Sequence, residues 1–427
     1  MQSHHHHHNP NYCCKHGYGT FALESCIQVI VIAIIGFGWY VSLLEVGVGW
    51  LLRHERCRIS AVVYMVAVGT LFPSLAVVYL QACSGRATHS VPAYTTPVPE
   101  SITEPYECSF DGGLNFCSKD NCKMRWKPPG AHHCAVCGVC RLGFDHHCPL
   151  LGNCVTTGRL KKFLALLILT SVTVPLASFP VLPVLRTHVV AALRVSHADA
   201  WAVDVWWDRP YSWILCGGPL GRWLVGILLG FRVLRAQRIP HPCLSGSLIA
   251  QPHTRIAVLV GAATLIWIFA ISMTVAVARD VTRGQTTLDT IRFRVPRSGK
   301  ASQVTTGRFV CIPYADGSVS SANASAVSVM TATSGNSLES RNVRRIYPVS
   351  NREHVYDLGW RENWRRVLAQ PLFGHQIPRH GRVLWLFARL SLLSFLSVYN
   401  WPKMNPEMIR RMLDSDFKGF AQPNYTK

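Results

Sequence analysis

Residues 117–154 read CSKDNCKMRWKPPGAHHCAVCGVCRLGFDHHCPLLGNC and hold seven of the chain's sixteen cysteines. Cys and His at such short spacings build tetrahedral zinc sites, each taking four thiolate or imidazole ligands. The segment supplies two sets: Cys117, Cys122, His133 and Cys140 for one ion, and Cys134, Cys137, His147 and Cys154 for the other. Cys148 is left over, directly after Asp145, His146 and His147 and before Pro149. A thiol beside a His and a carboxylate is what nucleophilic catalysis requires. The base takes the thiol proton, and the carboxylate orients and charges the imidazole.

Working outward, the composition is that of a membrane protein: 49% hydrophobic and only 15% charged over 427 residues. Four apolar stretches meet the length of about 20 residues that a bilayer demands. They are Ile27 to Val48, Ala61 to Ala82, Phe163 to Leu185, and Ile256 to Ala278. The first lacks a basic flank and a small-residue cleavage site, so it reads as a retained helix and not a signal peptide. Four spans place both ends of the chain and the Cys-rich segment on one side. Two arguments make that side the cytosol. About half of the Lys and Arg lie after Arg279, as the positive-inside rule asks, and thiolates need a reducing compartment. Arg53, Arg56 and Arg58, in the hairpin Leu51 to Ser60, run against the rule. The net charge of +21 is assigned to membrane orientation and not to nucleic acid, because no basic motif interleaved with aromatics is present.

The expected domains are a cytosolic N-terminus (1–26), spans one and two (27–85), a cytosolic Cys-rich zinc domain (86–162), spans three and four with a long loop (163–278), and a cytosolic tail (279–427). The Pro-rich start of the third reads as an extended linker. The loop Arg186 to Arg255 carries five tryptophans, and its apolar run Trp223 to Phe231 is too short to span. It reads as an interfacial or re-entrant element with tryptophans at headgroup level. The Ser-rich stretch Ser318 to Ser337 reads as a linker, and Leu384 to Val398, interrupted by Arg389, as an interfacial or buried tail helix. His4 to His8 carries no argument, and Cys13-Cys14 is a candidate for S-acylation.

The run HHC-x2-C-x2-C-x4-DHHCP-x4-C, residues 132–154, closely resembles the cysteine-rich domain of the DHHC family of protein S-acyltransferases, especially the fungal members. The resemblance implies a mainly α fold: a four-helix transmembrane bundle with a cytosolic two-zinc domain of short β elements and loops. It implies that ligands of the two zincs interleave as assigned above, with His147 a ligand. It also implies that Cys148 is the nucleophile, His146 its base and Asp145 the orienting acid. The activity implied is transfer of a palmitoyl-type chain from acyl-CoA through acyl-Cys148 to cysteines of cytosol-facing proteins at an endomembrane. Arg159, Lys161 and Lys162, at the entrance to span three, are candidate partners for the coenzyme A phosphates.

Two further elements resemble the family in order: Thr286-Thr287-Leu288-Asp289 after span four, with Asp in place of Glu, and Tyr356-Asp357-Leu358-Gly359 followed by Asn363-Trp364. In the second, Tyr356 would pack against the bundle and the Asn and Asp would form a satisfied polar junction. Departures are the C-x4-C spacing of Cys117 and Cys122, which leaves Cys108 as a substitute ligand, Gly130 for a usual Arg, Leu150 for Trp, and Arg159 for Asn. Leu150 and Arg159 keep an alternative in view, a weakly active or inactive membrane scaffold with a structural zinc domain.

Overall fold

The computed structural model describes residues 18–84, 96–98, 101–119, 122, 124–214, 218–236, 254–294, 308–314, 343–349, 353–370 and 402–417. Cys13-Cys14, Ser318 to Ser337 and Leu384 to Val398 lie outside them. The chain divides into two compact units, one of Met1–Leu23, Gly85–Lys161 and Val277–Lys427, the other of Glu24–Ser84 and Lys162–Ala276.

The second unit is helical. Its elements are α1 (Tyr18–Tyr40), which continues in wide i→i+5 winding over Val41–His54, α2 (Arg58–Cys83), α3 (Leu160–Ser178), α4 (Leu182–Ala198), α5 (Pro219–Ala236) and α6 (Thr254–Thr282). Four helical stretches are long and apolar enough to cross a membrane: Ala22–His54, Arg58–Cys83, Thr157–Ser178 and Ala257–Thr282. The last has mean hydropathy 2.2 but only 6% of its window buried within the protein, so its apolar surface needs a non-aqueous surround.

Polar groups inside this unit find partners. Pro175 sits within α3 and cannot donate to the carbonyl of Ser171 four residues back. The Trp267 indole of α6 donates to that oxygen instead, at 3.0 Å. The Tyr64 hydroxyl of α2 donates to Ala177 O at 2.9 Å. Around it Val46, Trp50, Val68, Phe72 and Val181 form a buried core.

Three expectations are revised here. The first hairpin is tighter than Leu51 to Ser60: the helix runs on to His54 and α2 starts at Arg58. Arg53 and His54 lie in the last helical turn, where the exposed carbonyls favour cations. Span three ends at Ser178, not Leu185, because Pro180 cannot extend the helical ladder and Pro183 opens a new helix in its first turn. Among its described residues, the stretch after Arg186 is largely helical. In it α4 and α5 pack so closely that a Cβ on Gly230 would stand 1.9 Å from Ala192 O. The missing side chain of Gly230 permits that approach, and Gly226, one turn earlier, makes room for the Trp207 ring, 2.1 Å from where its Cβ would stand. Trp206 and Trp207 are buried in the connection, whereas Trp201, Trp213 and Trp223 stay exposed.

The first unit holds the short strands. Three antiparallel hairpins follow one another: β2 (Phe116–Cys117) with β3 (Arg125–Trp126), β4 (Ala131–Cys134) with β5 (Val139–Leu142), and β6 (Phe144–Cys148) with β7 (Asn153–Thr156). A separate sheet has the order β1-β8-β9, from Tyr106–Cys108, Arg308–Tyr314 and Val343–Val349. A strand ahead of the Cys-rich hairpins and two strands of the tail thus meet in one sheet. Period-2 alternation in β8 builds a core on each face. Val310 and Ile312 join Tyr347, Val349, Val355, Met404, Met408 and Met412, while Cys311 joins Ile102, Tyr106, Cys108, Leu114 and Trp126. The helices of this unit are α7 (Thr287–Arg294), α8 (Trp360–Ala369) and α9 (Pro406–Phe417), the last laying Met408 and Met412 on the sheet.

Candidate functional site

The interleaving of the eight candidate ligands follows from strand alternation. In β4 and β5, His133 lies opposite Cys140 and Cys134 opposite Val139. Successive side chains face opposite ways, so His133 and Cys140 turn to one side and Cys134 to the other. In β6 and β7, His147 lies opposite Cys154. The side chains accordingly gather into Cys117, Cys122, His133 and Cys140, and into Cys134, Cys137, His147 and Cys154, all donor atoms of a group lying within 4.8 Å of one another.

The distances within each group test whether zinc fits. Bond lengths of about 2.3 Å to sulfur and about 2.0 Å to nitrogen give a tetrahedron with edges of about 3.8 Å (S···S) and about 3.5 Å (S···N). In the first group Cys122 and Cys140 sulfurs are 3.8 Å apart, and His133 Nδ1 is 3.6, 3.4 and 3.9 Å from Cys117, Cys122 and Cys140. In the second, Cys137 and Cys154 sulfurs are 3.5 Å apart, and His147 Nδ1 is 3.7, 3.5 and 3.6 Å from Cys134, Cys137 and Cys154. Both groups can hold a metal ion, and their thiolate–imidazole chemistry suits zinc. The longer Cys117–Cys122 loop closes without help from Cys108, which instead packs with Tyr106, Trp126 and Cys311 in the sheet core.

The same alternation separates metal from chemistry in β6. His147 faces the second cluster, so His146 and Cys148, two residues apart, share the opposite face. A bulge lies between Phe144 and His146. The extra residue there is Asp145, and the bulge lets its carboxylate reach the ring of its neighbour: His146 Nδ1 donates to Asp145 Oδ2 at 2.6 Å. Asp145 and Cys148 are buried, 7% and 8% exposed, a screened setting in which each polar contact counts for more. Burial works against a charge on His146, but hydrogen bonds to Asp145 and Cys148 outweigh it and push the imidazole up to about 9. His146 is therefore the charged partner of both neighbours at neutral pH.

Asp145 has a second set of donors that spacing within the Cys-rich segment gave no means of finding. Thr287, the first residue of α7, donates its backbone N–H to Asp145 Oδ1 and its hydroxyl to Asp145 Oδ2, both at 2.8 Å. Thr286 closes the start of that helix: its N–H and hydroxyl donate to Asp289 Oδ2 at 3.2 and 2.9 Å, and Asp289 N–H donates back to the hydroxyl at 3.2 Å. This reciprocal cap explains why the third residue after Thr286 is an acid. Leu288 packs beside Cys134, Phe144 and Cys154. The Thr-Thr-Leu-Asp element thus touches both the carboxylate and the second Cys/His cluster.

The tail element forms a polar junction with Thr282, in the last turn of α6, which belongs to the same unit as the tail. Asn363, 7% exposed, donates to Asp357 Oδ1 at 2.8 Å and accepts from Leu358 N–H at 3.2 Å, and Trp364 Nε1 donates to Thr282 Oγ1 at 3.1 Å. Gly284, at φ +60, allows the contact, since a Cβ there would stand 2.6 Å from Asp357 Cα. Tyr356 packs against the Val310 core of the sheet.

Among the candidate phosphate partners, Lys161 Nζ donates to Leu368 O at 2.6 Å, near the C-terminal end of α8. Arg159 and Lys162 are half-buried. Leu150 is 44% exposed, so a smaller residue than Trp leaves no hole there. Gly130 has φ +72 and its carbonyl accepts from Gly143 N–H at 2.9 Å, a left-handed turn that disfavours the Arg expected at that place.

Comparison with known proteins agrees with this geometry. Residues 111–294 match the family model described as DHHC palmitoyltransferase. The chain is similar to a protein of Arabidopsis thaliana named probable protein S-acyltransferase 13, 32% identical over 173 residues, which cover 38% of this chain and 56% of the relative. It is similar to palmitoyltransferase pfa3 of Emericella nidulans, 45% identical over 76 residues, covering 18% of this chain and 14% of the relative. Palmitoyltransferase ERF2 of Eremothecium gossypii is 48% identical over 54 residues, 13% of this chain and 14% of the relative. The chain therefore spans about half of the plant relative and about a seventh of each fungal one. The resemblance read from residues 132–154 is shown in these matches, with residues 111–294 similar to the DHHC palmitoyltransferase family model.

Proposed function

We propose that the protein is an integral-membrane protein S-acyltransferase that carries a long-chain acyl group on Cys148. The observation that carries this reading is the buried Asp145–His146–Cys148 set beside two four-ligand clusters, with Cys148 outside both. His146, charged by the proton taken from Cys148, stands beside a thiolate that attacks the thioester carbonyl of an acyl-CoA. The new C–S bond to Cys148 forms as the C–S bond to coenzyme A breaks, and the coenzyme A thiolate leaves with the proton held by His146, which is then neutral. A substrate cysteine then loses its proton to His146 and attacks acyl-Cys148. The acyl group passes to the substrate, and the Cys148 thiol is restored. One thioester replaces another at each step, so the site need supply a thiolate and orientation and not a large driving force.

In this reading Asp145 keeps Nδ1–H of His146 in place, leaving the other ring nitrogen for sulfur. Thr287 in turn holds Asp145. Zinc, bound by Cys117, Cys122, His133 and Cys140 and by Cys134, Cys137, His147 and Cys154, cross-links three hairpins too short to fold alone. Arg159 and Lys162 would meet the phosphates of coenzyme A, with Lys161 divided between that role and Leu368 O. Substrates are cytosol-facing membrane proteins of an endomembrane. The reading is tested with purified protein in detergent, labelled palmitoyl-CoA and a Cys148→Ser control: label on the wild type, released by hydroxylamine and absent from the variant, supports it. Equal labelling of both proteins, or none on zinc-loaded wild type, would refute it.

A further inference from the structure

Asp145 is held from the first turn of α7, and α7 is itself held from the tail sheet. Arg308, the first residue of β8, donates Nη1 to Asp289 Oδ1 at 3.4 Å and Nε to Glu107 Oε1 at 3.0 Å, and Nη2 reaches the same Glu107 oxygen. The side chains are 27% (Arg308), 16% (Glu107) and 12% (Asp289) exposed, so two half-buried carboxylates flank one guanidinium. Attraction to Glu107 and then Asp289 outweighs the burial that opposes the Arg308 charge and raises its pKa. Removing the cation would leave two half-buried carboxylates without their counter-charge.

The two oxygens of Asp289 divide the work. Oδ2 closes the cap with Thr286, and Oδ1 is bound by Arg308. The next residue after Thr286 is Thr287, both of whose donors lie on Asp145. The path thus runs from Glu107 through Arg308, Asp289 and the start of α7 to Asp145, His146 and Cys148, every link a hydrogen bond or a peptide bond. A planar fork can serve acids from two different elements at once, which a lysine cannot do equally well.

Resting on the acyl-transfer reading above, we infer that Arg308 is a positioning residue for Cys148. By pinning Asp289 of α7 to Glu107 of β1 it sets where Thr287 meets Asp145, and so couples the tail sheet to the nucleophile. Nothing in the Cys-rich segment points to this residue, which lies 160 positions after Cys148.

The test is a double-mutant cycle on full-length, zinc-loaded protein. Its readout is the rate of iodoacetamide alkylation at the Cys148 peptide, followed by mass spectrometry, which needs no acyl donor. Arg308→Met and Thr287→Val are compared singly and together. If Arg308 acts through Thr287, each single change slows alkylation by about tenfold, and the double variant is no slower than the slower single one. Arg308→Lys recovers part of the rate. Slowing factors that multiply, or an Arg308→Met rate equal to wild type, would overturn the inference. If Arg308→Met fails to fold, as judged by zinc content, the same cycle with Arg308→Lys decides by the same criterion. Autoacylation run beside it separates the two ideas: a wild type that takes no acyl group sinks the transferase reading, whereas multiplying alkylation effects sink the role of Arg308 alone.

Discussion

Thr287→Val is the most informative single change in the site. Valine keeps the branched shape and the backbone N–H that donates to Asp145 Oδ1, and removes only the hydroxyl that donates to Oδ2 at 2.8 Å. Asp145 Oδ2 then keeps a single strong partner, His146 Nδ1 at 2.6 Å, and the side chain is only 8% exposed, so water does not replace the lost donor freely. A hydrogen bond to a charged group is worth about 1.5 to 3 kcal/mol. If that loss falls on the orientation of His146 toward Cys148, at about 1.4 kcal/mol per tenfold the rate drops by roughly 10- to 150-fold. Single-turnover acylation of Cys148 measures it, with saturating palmitoyl-CoA so that binding drops out. Zinc content should be unchanged, because Thr287 ligates nothing. A rate within twofold of wild type would refute the claim that α7 positions the acid.

Metal analysis should find two zinc ions per chain, and Cys134→Ser should lower that number while exposing the hairpins to proteolysis, since each lost ligand opens a tetrahedral site. Unaltered zinc content in Cys134→Ser would contradict the ligand assignment. Asn363→Ala leaves Leu358 N–H without its acceptor and Asp357 Oδ1 with the Gly359 N–H alone of its two donors, and should cost about 1 to 3 kcal/mol, read as a lower thermal midpoint. Gly284→Ala should be worse, because a Cβ there meets Asp357 Cα at 2.6 Å and φ is +60; a midpoint above that of Asn363→Ala would count against the junction. In the helical pair, Gly230→Val must push α5 off Ala192, and disulfide cross-linking of engineered cysteines on α4 and α5 should fall; undiminished cross-linking would show that the close approach is not required.

What the sequence revealed was what local period and composition encode. Cys and His at short spacings marked both clusters because their members lie within 38 residues and on three hairpins, where period 2 decides which face each side chain takes. Apolar length marked the four spans, though their ends shifted where Pro180 and Pro183 broke a continuous apolar run. Contacts across long sequence separation were not legible. Thr287 and Asp145 are 142 positions apart, and neither residue type announces the other. The sheet β1-β8-β9 escaped for the same reason, since its strands come from distant segments and bury both faces. The helices α4 and α5 were hidden by their arginines, which lowered the apolar signal below that of a span.

The central claim is that Cys148 carries the acyl group, and peptide-resolved mass spectrometry after incubation with palmitoyl-CoA tests it most directly. The account predicts a hydroxylamine-labile palmitoyl mass on the peptide containing Cys148, lost in Cys148→Ser and strongly reduced in His146→Ala. A zinc-loaded wild type with Cys148 unmodified, or with the mass retained on other cysteines in Cys148→Ser at the same level, would contradict it.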